Sequence, residues 1–416
     1  MDKFLSFPFC RPEGLSNNWL VAVYQVRGTN YDTVVKRVSS YAVGQSVGTW
    51  LQVPGITETM ISERQARVIN IYETSSCDEE PVFLVRLAFP TENFGRSMSM
   101  LLAALVGNDV STAISARLIS VEYPGANNDG YSGPKHDIKH LRNLCGINTQ
   151  RPIVLNMIKP CLGFSPQYGA ELFRKVALGG IDMIKDDELL GSPHYNDMKD
   201  RVVSYVNVAN NVKELTGKES VYIPNISGTP RQIRENIETI LDAGGKACLI
   251  NYLYTGFDTL KELSDEFGSD IFIMGHYSGI STLASERSGI SDAVMLGTFP
   301  RICGADAIMT MMPNREDKWS MYNYVQTLQA QSLPMPGIGK TIPTVGGGIT
   351  PLNQELIQKE LGKDIIIGIG GSIQGHPSGT TAGARAAMLA IESVAEGRDL
   401  KEIALHNEDL SKALDL

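Results

Sequence analysis

The most constraining feature of this 416-residue chain is a series of eight short apolar segments that begins near Arg151. Each segment is rich in β-branched residues and ends in glycine, proline or charged residues, as strands do. The predicted strands are residues 153–158, 181–184, 221–226, 248–253, 271–274, 307–311, 341–345 and 365–369. Amphipathic stretches between them predict helices at residues 168–178, 231–242, 352–361 and 382–396.

Strands that alternate with helices predict a parallel sheet, and eight of them favour a closed (β/α)8 barrel. A doubly wound open sheet is the alternative, although it usually has fewer strands. The preceding part of the chain has no repeated βα spacing, and we predict strands at 18–25 and 81–89 and a helix at 98–106. The predicted α/β architecture is an α+β N-terminal domain at 1–135. A TIM-barrel domain with a short helical C-terminal tail follows at 136–416.

The charge and cysteine content exclude several classes of protein. Lys and Arg total 37 and Asp and Glu total 46, so the net charge is −9 and nucleic-acid binding is not expected. No apolar run is long enough for a transmembrane helix, and residues 1–9 lack a signal-peptide core. The six cysteines form no C-x-x-C pair, which indicates thiols in a reducing cytosol. We therefore predict a cytoplasmic protein that binds neither nucleic acid nor membranes.

Charged residues follow the second predicted strand of the barrel, where functional side chains are expected. The segment is Lys185-Asp186-Asp187-Glu188. A solvated charge run is one interpretation. The other is a Mg²⁺ site, because residues two apart share a face and Mg²⁺ prefers oxygen ligands. Lys185 would be a ligand only if CO₂ added to its neutral amine and formed a carbamate.

Glycine runs follow the seventh and eighth predicted strands, at residues 346–348 and 368–371. Barrels often bind phosphate at these two loops, where backbone N–H groups face the anion and glycine permits close approach. A single glycine run could be an ordinary turn, but two runs at these positions predict a site for a small phosphorylated compound.

Three further residues near strand ends have structural and functional interpretations. His276 ends the fifth predicted strand and is either structural or catalytic. His376 follows the second glycine run, and we interpret it as a loop anchor. Cys161 could be a nucleophile, but a packed thiol is favoured because no histidine neighbours it in sequence.

Together these motifs resemble the large subunit of RuBisCO over nearly the whole chain. The matching segments are GGIDMIKDDE (179–188), IKPCLGFSP (158–166), VGGGI (345–349), GHPSGTTAGARAA (375–387), GTW (48–50) and VGN (106–108). The resemblance implies an N-terminal α+β domain, a barrel and a short helical tail. It also implies a homodimer in which the two subunits share active sites.

The resemblance implies roles for residues of this chain. Lys185 would carry the carbamate, and Asp187 and Glu188 would complete a site for one Mg²⁺. Lys159 would be the general acid or base, and Asn108 of the partner subunit would contact the metal-bound substrate. The residues expected to hold one phosphate are Gly347, Gly348, Gly370 and Gly371, with the partner subunit's Thr49 and the partner subunit's Trp50.

The departures from RuBisCO affect the expected chemistry. Its second lysine in KPKLG is Cys161 here, its N-terminal glutamate falls at Gly44, and the arginine after the strand-five histidine is Tyr277. Its second-phosphate histidine is Met309, and residues 310–319 do not resemble the loop whose lysine stabilises CO₂. Carboxylation depends on that charge stabilisation. The pattern is therefore that of the RuBisCO-like proteins, or form IV, which keep the enolising groups.

Several reactions remain open within this group. One branch enolises diketo-methylthiopentyl phosphate in methionine salvage, but it has a lysine base where this chain has Asn108. Another isomerises 5-methylthioribulose 1-phosphate, and a third decarboxylates 3-oxo-isoapionate 4-phosphate in apiose breakdown. The sequence favours the third, since one metal, one phosphate site and a proton donor such as Lys159 or His276 suffice. A non-catalytic stress or sulfur-metabolism protein is the remaining alternative, and the intact metal motif favours an enzyme, a lyase or an isomerase.

Overall fold

The structure is a computed structural model that describes residues 10–11, 15–16, 18–47, 55–74, 80–107, 110, 113–124, 130–284, 289–313 and 318–415. By its contacts the chain forms two compact units. The first unit comprises residues 1–132, 279–302 and 322–339, and the second comprises 133–278, 303–321 and 340–416.

The secondary structure alternates between strands and helices through most of the described chain. The strands are β1 (Trp19–Arg27), β2 (Arg67–Thr74), β3 (Val82–Pro90), β4 (Ala116–Glu122), β5 (Ile153–Met157), β6 (Met183–Lys185), β7 (Val221–Ile223), β8 (Ala247–Ile250), β9 (Phe272–His276), β10 (Gly289–Ile290), β11 (Ala307–Met311), β12 (Ile342–Gly346) and β13 (Ile366–Ile369). The helices are α1 (Tyr31–Gly44), α2 (Glu58–Arg64), α3 (Met98–Val106), α4 (Ile138–Leu144), α5 (Pro166–Leu178), α6 (Met198–Thr216), α7 (Pro230–Asp242), α8 (Tyr252–Thr255), α9 (Phe257–Phe267), α10 (Ile280–Leu283), α11 (Phe299–Ile302), α12 (Lys318–Ser332), α13 (Gln354–Leu361), α14 (Gly371–Gln374), α15 (Thr380–Ala395), α16 (Leu400–Ala404) and α17 (Glu408–Leu414).

The first unit contains a five-stranded sheet in the order β10-β4-β1-β3-β2. The neighbours of β1 run antiparallel to it, whereas β10 pairs with β4 in parallel. Alternate residues of β1 are fully buried, so one face of the sheet packs against helices. Tyr24 of β1 and Tyr41 of α1 both donate a hydrogen bond to the backbone oxygen of Leu105 at 2.8 Å, which joins α1 and α3 to the sheet.

The second unit is an eight-stranded parallel barrel in the order β7-β6-β5-β13-β12-β11-β9-β8. The two ends of this order meet through hydrogen bonds from Leu249 N to Pro224 O at 2.8 Å and from Ile226 N to Leu249 O at 2.9 Å. An open sheet would leave both edge strands unpaired. The predicted barrel is therefore confirmed, and the alternative of a doubly wound open sheet is wrong.

Local sequence signals begin several of the barrel helices. Thr229 and Gln232 form a reciprocal capping box at the start of α7, and Pro230 occupies its first turn. The side chain of Ser165 caps α5 by accepting a hydrogen bond from Tyr168 N, ahead of Pro166. These caps fix the residue at which each helix begins and therefore the length of the loop before it.

Apolar side chains from the strands form one buried cluster in the barrel unit. Its members include Leu155, Met183, Ile223, Leu249, Met274, Ala307, Ile342 and Ile366. Because a barrel of eight strands is filled by its own side chains, its chemistry is confined to the strand ends and the loops after them.

The predicted elements differ from the observed ones mainly at their ends. All eight predicted barrel strands are present, and 307–311 and 98–106 match β11 and α3. The strand predicted at 248–253 is wrong at its end, because Tyr252 begins α8. There Asn251 O accepts hydrogen bonds from Tyr254 N and Thr255 N, which turns the chain into a helix. Helices α6, α9 and α12 were not predicted from the sequence.

Two composition-based predictions concern helices and cysteines. In the described part of the chain, no helix has both the length and the apolar character needed to cross a membrane. Cys10, Cys145, Cys161, Cys248 and Cys303 are free thiols, as the scattered spacing predicts. The sixth cysteine, Cys77, lies outside the described residues.

Candidate active site

A cavity of about 330 Å³ lies at the C-terminal ends of the barrel strands. Nine of the twelve predicted site residues line it: Lys159, Lys185, Asp187, Glu188, His276, Gly347, Gly348, Gly370 and Gly371. The other three, Asn108, Thr49 and Trp50, lie outside the described residues. The ends of the barrel strands therefore bring together residues that are far apart in sequence. Lys159 and Gly371, for example, are 212 positions apart.

Lys185 is the last residue of β6, and its side chain is fully buried. Its Nζ donates a hydrogen bond to Asp186 O at 2.8 Å and lies 3.6 Å from Glu188 Oε2. Burial lowers the pKa of Lys185 below its usual value, although the nearby carboxylates of Glu188 and Asp187 oppose this shift. A lowered pKa increases the fraction of neutral amine, which is the form that reacts with CO₂.

Lys159 and Asp187 form an ion pair at the wall of the cavity. Lys159 Nζ donates hydrogen bonds to Asp187 Oδ2 at 2.7 Å and to Cys161 Sγ at 2.9 Å. Burial alone would lower the pKa of Lys159, but the bonds to Asp187 and Cys161 outweigh it and raise the pKa. Burial would likewise raise the pKa of Asp187, but the hydrogen bonds from Lys159, Cys161 and Leu189 N, together with the Lys159 charge, outweigh burial and lower this pKa. The pair is therefore an ammonium beside a carboxylate.

His276 ends β9 and is almost completely buried. Its Nδ1 accepts a hydrogen bond from Ser278 N at 3.2 Å, and its Nε2 faces Glu188 Oε2 at 3.4 Å. Burial and the adjacent Lys185 charge lower the pKa of His276 to about 2. The imidazole is therefore neutral near pH 7, and its hydrogen is on Nε2 because Nδ1 already acts as an acceptor.

This lowered pKa predicts a specific acid sensitivity. In the unfolded chain a histidine binds a proton below about pH 6.5, whereas folded His276 remains neutral down to about pH 2. The unfolded state therefore takes up more protons in this window, and stability falls as the pH falls, by about 1.4 kcal/mol per pH unit. Urea unfolding of the metal-free protein at pH 4.5–7 should show this slope reduced in His276→Gln. Equal slopes in the two proteins would contradict the assignment.

Asp186 is the one residue of the acidic run that faces away from the cavity. Its Oδ1 accepts a hydrogen bond from the Tyr222 hydroxyl at 2.8 Å, and its Oδ2 accepts one from Arg201 Nε at 3.1 Å. Strand alternation places Lys185 and Asp187 on the opposite side. Of the two candidates for a further metal ligand, Glu188 lines the cavity and Asp186 does not.

The side chains around the cavity offer few ligands for a divalent cation. Within the described ranges, no group of three or more Asp, Glu, His or Cys side chains is arranged to hold a metal ion. Asp187 and Glu188 supply two carboxylates, and Lys185 lies beside them. A carbamate on Lys185 would complete a set of three oxygen ligands, which is the chemistry that Mg²⁺ prefers. The residues therefore fit the predicted Mg²⁺ site, provided that Lys185 is carbamylated.

The glycine loops also line the cavity. Gly347 and Gly348 have φ values of +84° and +66°, a backbone conformation that favours glycine. A Cβ atom at Gly348 or Gly371 would meet nothing within 4 Å, so the space above both residues is open. The Ser372 hydroxyl donates to Ile349 O at 3.1 Å and joins the two loops. An anion could approach this backbone without obstruction.

Apolar side chains complete the cavity lining. Met157, Met309 and Ile349 lie on its wall, and Tyr277 stacks on His276 at a ring distance of 4.6 Å. From the sequence, Tyr277 and Met309 were identified only as departures from RuBisCO, and Met157, Ile349, Thr350 and Ser372 were not predicted to line the site. Ile349 is the last residue of the VGGGI motif, and each of the other three neighbours a motif residue. His376, predicted as a loop anchor, contacts Asp409 O at 2.9 Å through Nε2 and does not line the cavity.

Sequence comparison identifies the family. The model of the ribulose bisphosphate carboxylase large chain catalytic domain matches residues 137–416, and that of the N-terminal domain matches 15–126. The chain belongs to the RuBisCO large-chain family. A RuBisCO-like protein from Archaeoglobus fulgidus is 33% identical, and the alignment covers 100% of this chain and 98% of that protein.

Two further relatives show the range of this family. A 2,3-diketo-5-methylthiopentyl-1-phosphate enolase from Geobacillus kaustophilus is 28% identical over 91% of this chain and 94% of its own length. The dimeric archaeal RuBisCO from Hyperthermus butylicus has a TM-score of 0.88 at 25% identity, covering 99% of this chain and 98% of its own. The predicted RuBisCO-like membership is therefore confirmed, and the family includes both carboxylases and enolases.

Proposed function

We propose that this RuBisCO-like protein is a Mg²⁺-dependent enzyme that enolises a small phosphorylated ketone. The observation that supports this most is a single cavity with three kinds of group. Lys185, Asp187 and Glu188 lie together in it, Lys159 contacts Asp187, and the open glycine loops line it as well. Enolisation needs each of these: a cation to stabilise negative charge on oxygen, a group that moves a proton, and an anchor for phosphate.

The metal site would consist of Asp187, Glu188 and a carbamate on Lys185. When bound there, Mg²⁺ supplies a Lewis acid that polarises the ketone oxygen of the substrate. Lys159 Nζ is part-exposed at the cavity wall. With Asp187 engaged as a metal ligand, Lys159 would lose the carboxylate partner that raises its pKa, and its neutral amine would accept the proton from the carbon next to the ketone. His276 would donate a hydrogen bond from Nε2 as a neutral imidazole. The role of Asn108 of the partner subunit stays a prediction.

The glycine loops would hold the substrate phosphate through backbone N–H groups. Gly347 and Gly348 follow β12, and Gly370 and Gly371 follow β13, so the two loops are neighbours in the barrel. The contributions of the partner subunit's Thr49 and the partner subunit's Trp50 stay predictions. We also propose a homodimer with shared sites, in line with the dimeric relative. The cytoplasmic location stays a prediction.

The apolar wall bears on the choice of substrate. Met157, Met309 and Ile349 would suit a substrate with a methylthio end, because such a group gains from leaving water. The sequence favoured 3-oxo-isoapionate 4-phosphate, but a sugar acid would leave its hydroxyl and carboxylate groups against these side chains. We therefore place 2,3-diketo-5-methylthiopentyl 1-phosphate and 5-methylthioribulose 1-phosphate first, with Lys159 as the base in place of the lysine that the enolase branch has at the position of Asn108. Decarboxylation of 3-oxo-isoapionate 4-phosphate is the second candidate, and it uses the same metal and phosphate groups.

Substrate profiling tests this proposal. The purified protein would be incubated with Mg²⁺, bicarbonate and each of the three phosphates, with Lys185→Met as the inactive control. Enol absorbance reports enolisation, NMR reports isomerisation, and released CO₂ reports decarboxylation. We expect turnover of a methylthio compound. CO₂ release from the sugar acid alone would favour the second candidate, and no turnover of any of the three would contradict the proposal.

The phosphate site predicts a change in substrate affinity without a change in stability. A methyl group at Gly371 meets no protein atom within 4 Å, so Gly371→Ala should fold normally. The same methyl would occupy the space through which phosphate approaches, and we expect KM to rise about tenfold, the equivalent of one lost charge-assisted hydrogen bond. Gly228→Ala is the matched control, since the atoms nearest to a Cβ at Gly228 all belong to the side chain of Gln232, whose Oε1 lies 3.2 Å away, and Gly228 does not line the cavity. An unchanged KM in Gly371→Ala would place the phosphate elsewhere.

A further inference from the structure

The loop after β6 carries both carboxylates of the candidate metal site, and one buried arginine contacts it at three places. Arg201 of α6 is completely buried. Its Nε donates to Asp186 Oδ2 at 3.1 Å, its Nη2 donates to Gly191 O at 2.8 Å, and its Nη1 donates to Asn196 O at 2.9 Å. These acceptors lie at the start, the middle and the end of residues 186–196, which we call the carboxylate loop.

Asp186 is the centre of a buried set of hydrogen bonds. Besides Arg201, the Tyr222 hydroxyl donates to its Oδ1 at 2.8 Å and Asn225 N donates to its Oδ2 at 3.0 Å. The side chain of Asn225 then donates to Glu188 O at 3.0 Å. Asp186 and Glu188, the neighbours of Asp187, are therefore both fixed by hydrogen bonds to Asn225, which does not line the cavity.

The same set of bonds reaches the loop that carries Lys159. Asn196 also accepts from Arg201 Nη1 through its Oδ1 at 3.0 Å, and its Nδ2 donates to Phe164 O at 2.9 Å. Phe164 lies five positions after Lys159 in the loop that follows β5. Arg201 and Asn196 therefore connect the two loops whose side chains meet in the Lys159–Asp187 ion pair.

We propose that Arg201 and Asp186 are positioning residues that hold the carboxylate loop in the geometry for binding Mg²⁺. Neither residue lines the cavity. Metal ligands depend on hydrogen-bonded partners behind them, and loss of such partners typically weakens metal binding by about 10- to 100-fold. This inference rests on the proposed function, because it assumes that Asp187 and Glu188 bind the metal.

A second buried arginine–aspartate pair on the same strand provides a matched control. Asp182 lies just before β6, and both its oxygens accept hydrogen bonds from Arg151 at 2.7 Å. This pair is also buried, but it lies at the N-terminal end of the strand. The main difference between the two pairs is their distance from the carboxylate loop. Disrupting either pair should lower stability, but only disruption of the Arg201–Asp186 pair should weaken Mg²⁺ binding.

The experiment compares Arg201→Lys with Arg151→Lys. Lysine keeps the charge but cannot reach three acceptors as a guanidinium does. Mg²⁺ binding in bicarbonate would be measured by titration calorimetry, together with thermal unfolding and amide hydrogen exchange of the metal-free proteins. We expect Arg201→Lys to bind Mg²⁺ about 10- to 100-fold more weakly and to exchange faster at 187–196. Arg151→Lys should bind Mg²⁺ as the unchanged protein does, whatever its loss of thermal stability.

Tyrosine variants decide the question if Arg201→Lys does not fold. Tyr222→Phe removes one hydrogen bond to Asp186. Tyr205→Phe removes a hydroxyl from a ring 4.8 Å away that has no hydrogen-bond partner among the described residues. We expect weaker Mg²⁺ binding only in Tyr222→Phe. Unchanged Mg²⁺ binding in a folded Arg201→Lys, or in Tyr222→Phe as its replacement, would overturn this inference and leave the proposed function standing. Absence of Mg²⁺ binding in the unchanged protein would overturn both.

Discussion

Lys185→Met should remove Mg²⁺ binding and lower kcat/KM by about 10³-fold, because the metal's charge stabilisation is worth about 4 kcal/mol. Methionine is unbranched like lysine, is one heavy atom shorter and cannot react with CO₂. The same change should not lower the melting temperature of the metal-free protein, since it removes a fully buried amine whose charged form is costly. Titration calorimetry in bicarbonate, steady-state kinetics and thermal unfolding measure the three effects.

The control for this prediction is another lysine in the same unit. Lys213 lies on α6 with its side chain about half-exposed, so Lys213→Met should bind Mg²⁺ and turn over substrate normally. Mass spectrometry of the intact protein in bicarbonate can also detect the added CO₂ directly. Normal Mg²⁺ binding by Lys185→Met would contradict the carbamate and with it the proposed metal site.

Lys159→Met should lower kcat by about 10²- to 10⁴-fold, the usual contribution of a positioned acid or base. Mg²⁺ binding should be retained or become tighter, because Asp187 Oδ2 no longer shares its charge with the ammonium 2.7 Å away. A separation of kcat from metal affinity therefore distinguishes this variant from Lys185→Met. Kinetics and calorimetry on the same preparations provide both measurements.

Cys161→Ser is the control for Lys159→Met. It keeps an acceptor beside Lys159 Nζ, which now lies 2.9 Å from the thiol, and should change kcat only slightly. Solvent hydrogen exchange at the substrate carbon next to the ketone gives a second readout. If Lys159→Met still exchanged that hydrogen at the normal rate, another group would be the proton carrier.

The sequence predicted the parts of the site that depend on strand ends. The barrel repeat indicates where each strand stops, and parallel strands bring their C-terminal ends to one edge. This geometry is sufficient to place Lys185 beside Asp187 and the two glycine loops in one cavity. The observed strand ends differ from the predicted ones by a few residues. At β8, for example, the strand ends early because the next residues form the hydrogen bonds of a helix.

The remaining features depend on packing between distant segments, which a single sequence does not reveal. Arg201 lies on α6, a helix that was not predicted from the sequence, and its partner Asp186 belongs to a motif that suggested metal binding instead. The apolar wall was missed for a similar reason. In the sequence, Met157 cannot be distinguished from a core residue of a strand. Only the packed barrel shows that it lines the cavity near Gly370.

Lys185, Asp186 and Asp187, at the end of β6 and just after it, alternate in the side that they face, and this affects how the strand aligns during folding. Lys185 and Asp187 face one side and Asp186 faces Arg201 on the other. A shift of this strand by one residue would exchange the two sides, as it does in any strand. A shift in one direction would bury Lys185 against Arg201, which are two like charges without a carboxylate between them. A shift in the other direction would place Asp187 against Arg201 and remove a carboxylate from the cavity. Only the observed register keeps the Asp186–Arg201 pair together with Lys185 and Asp187 in the cavity.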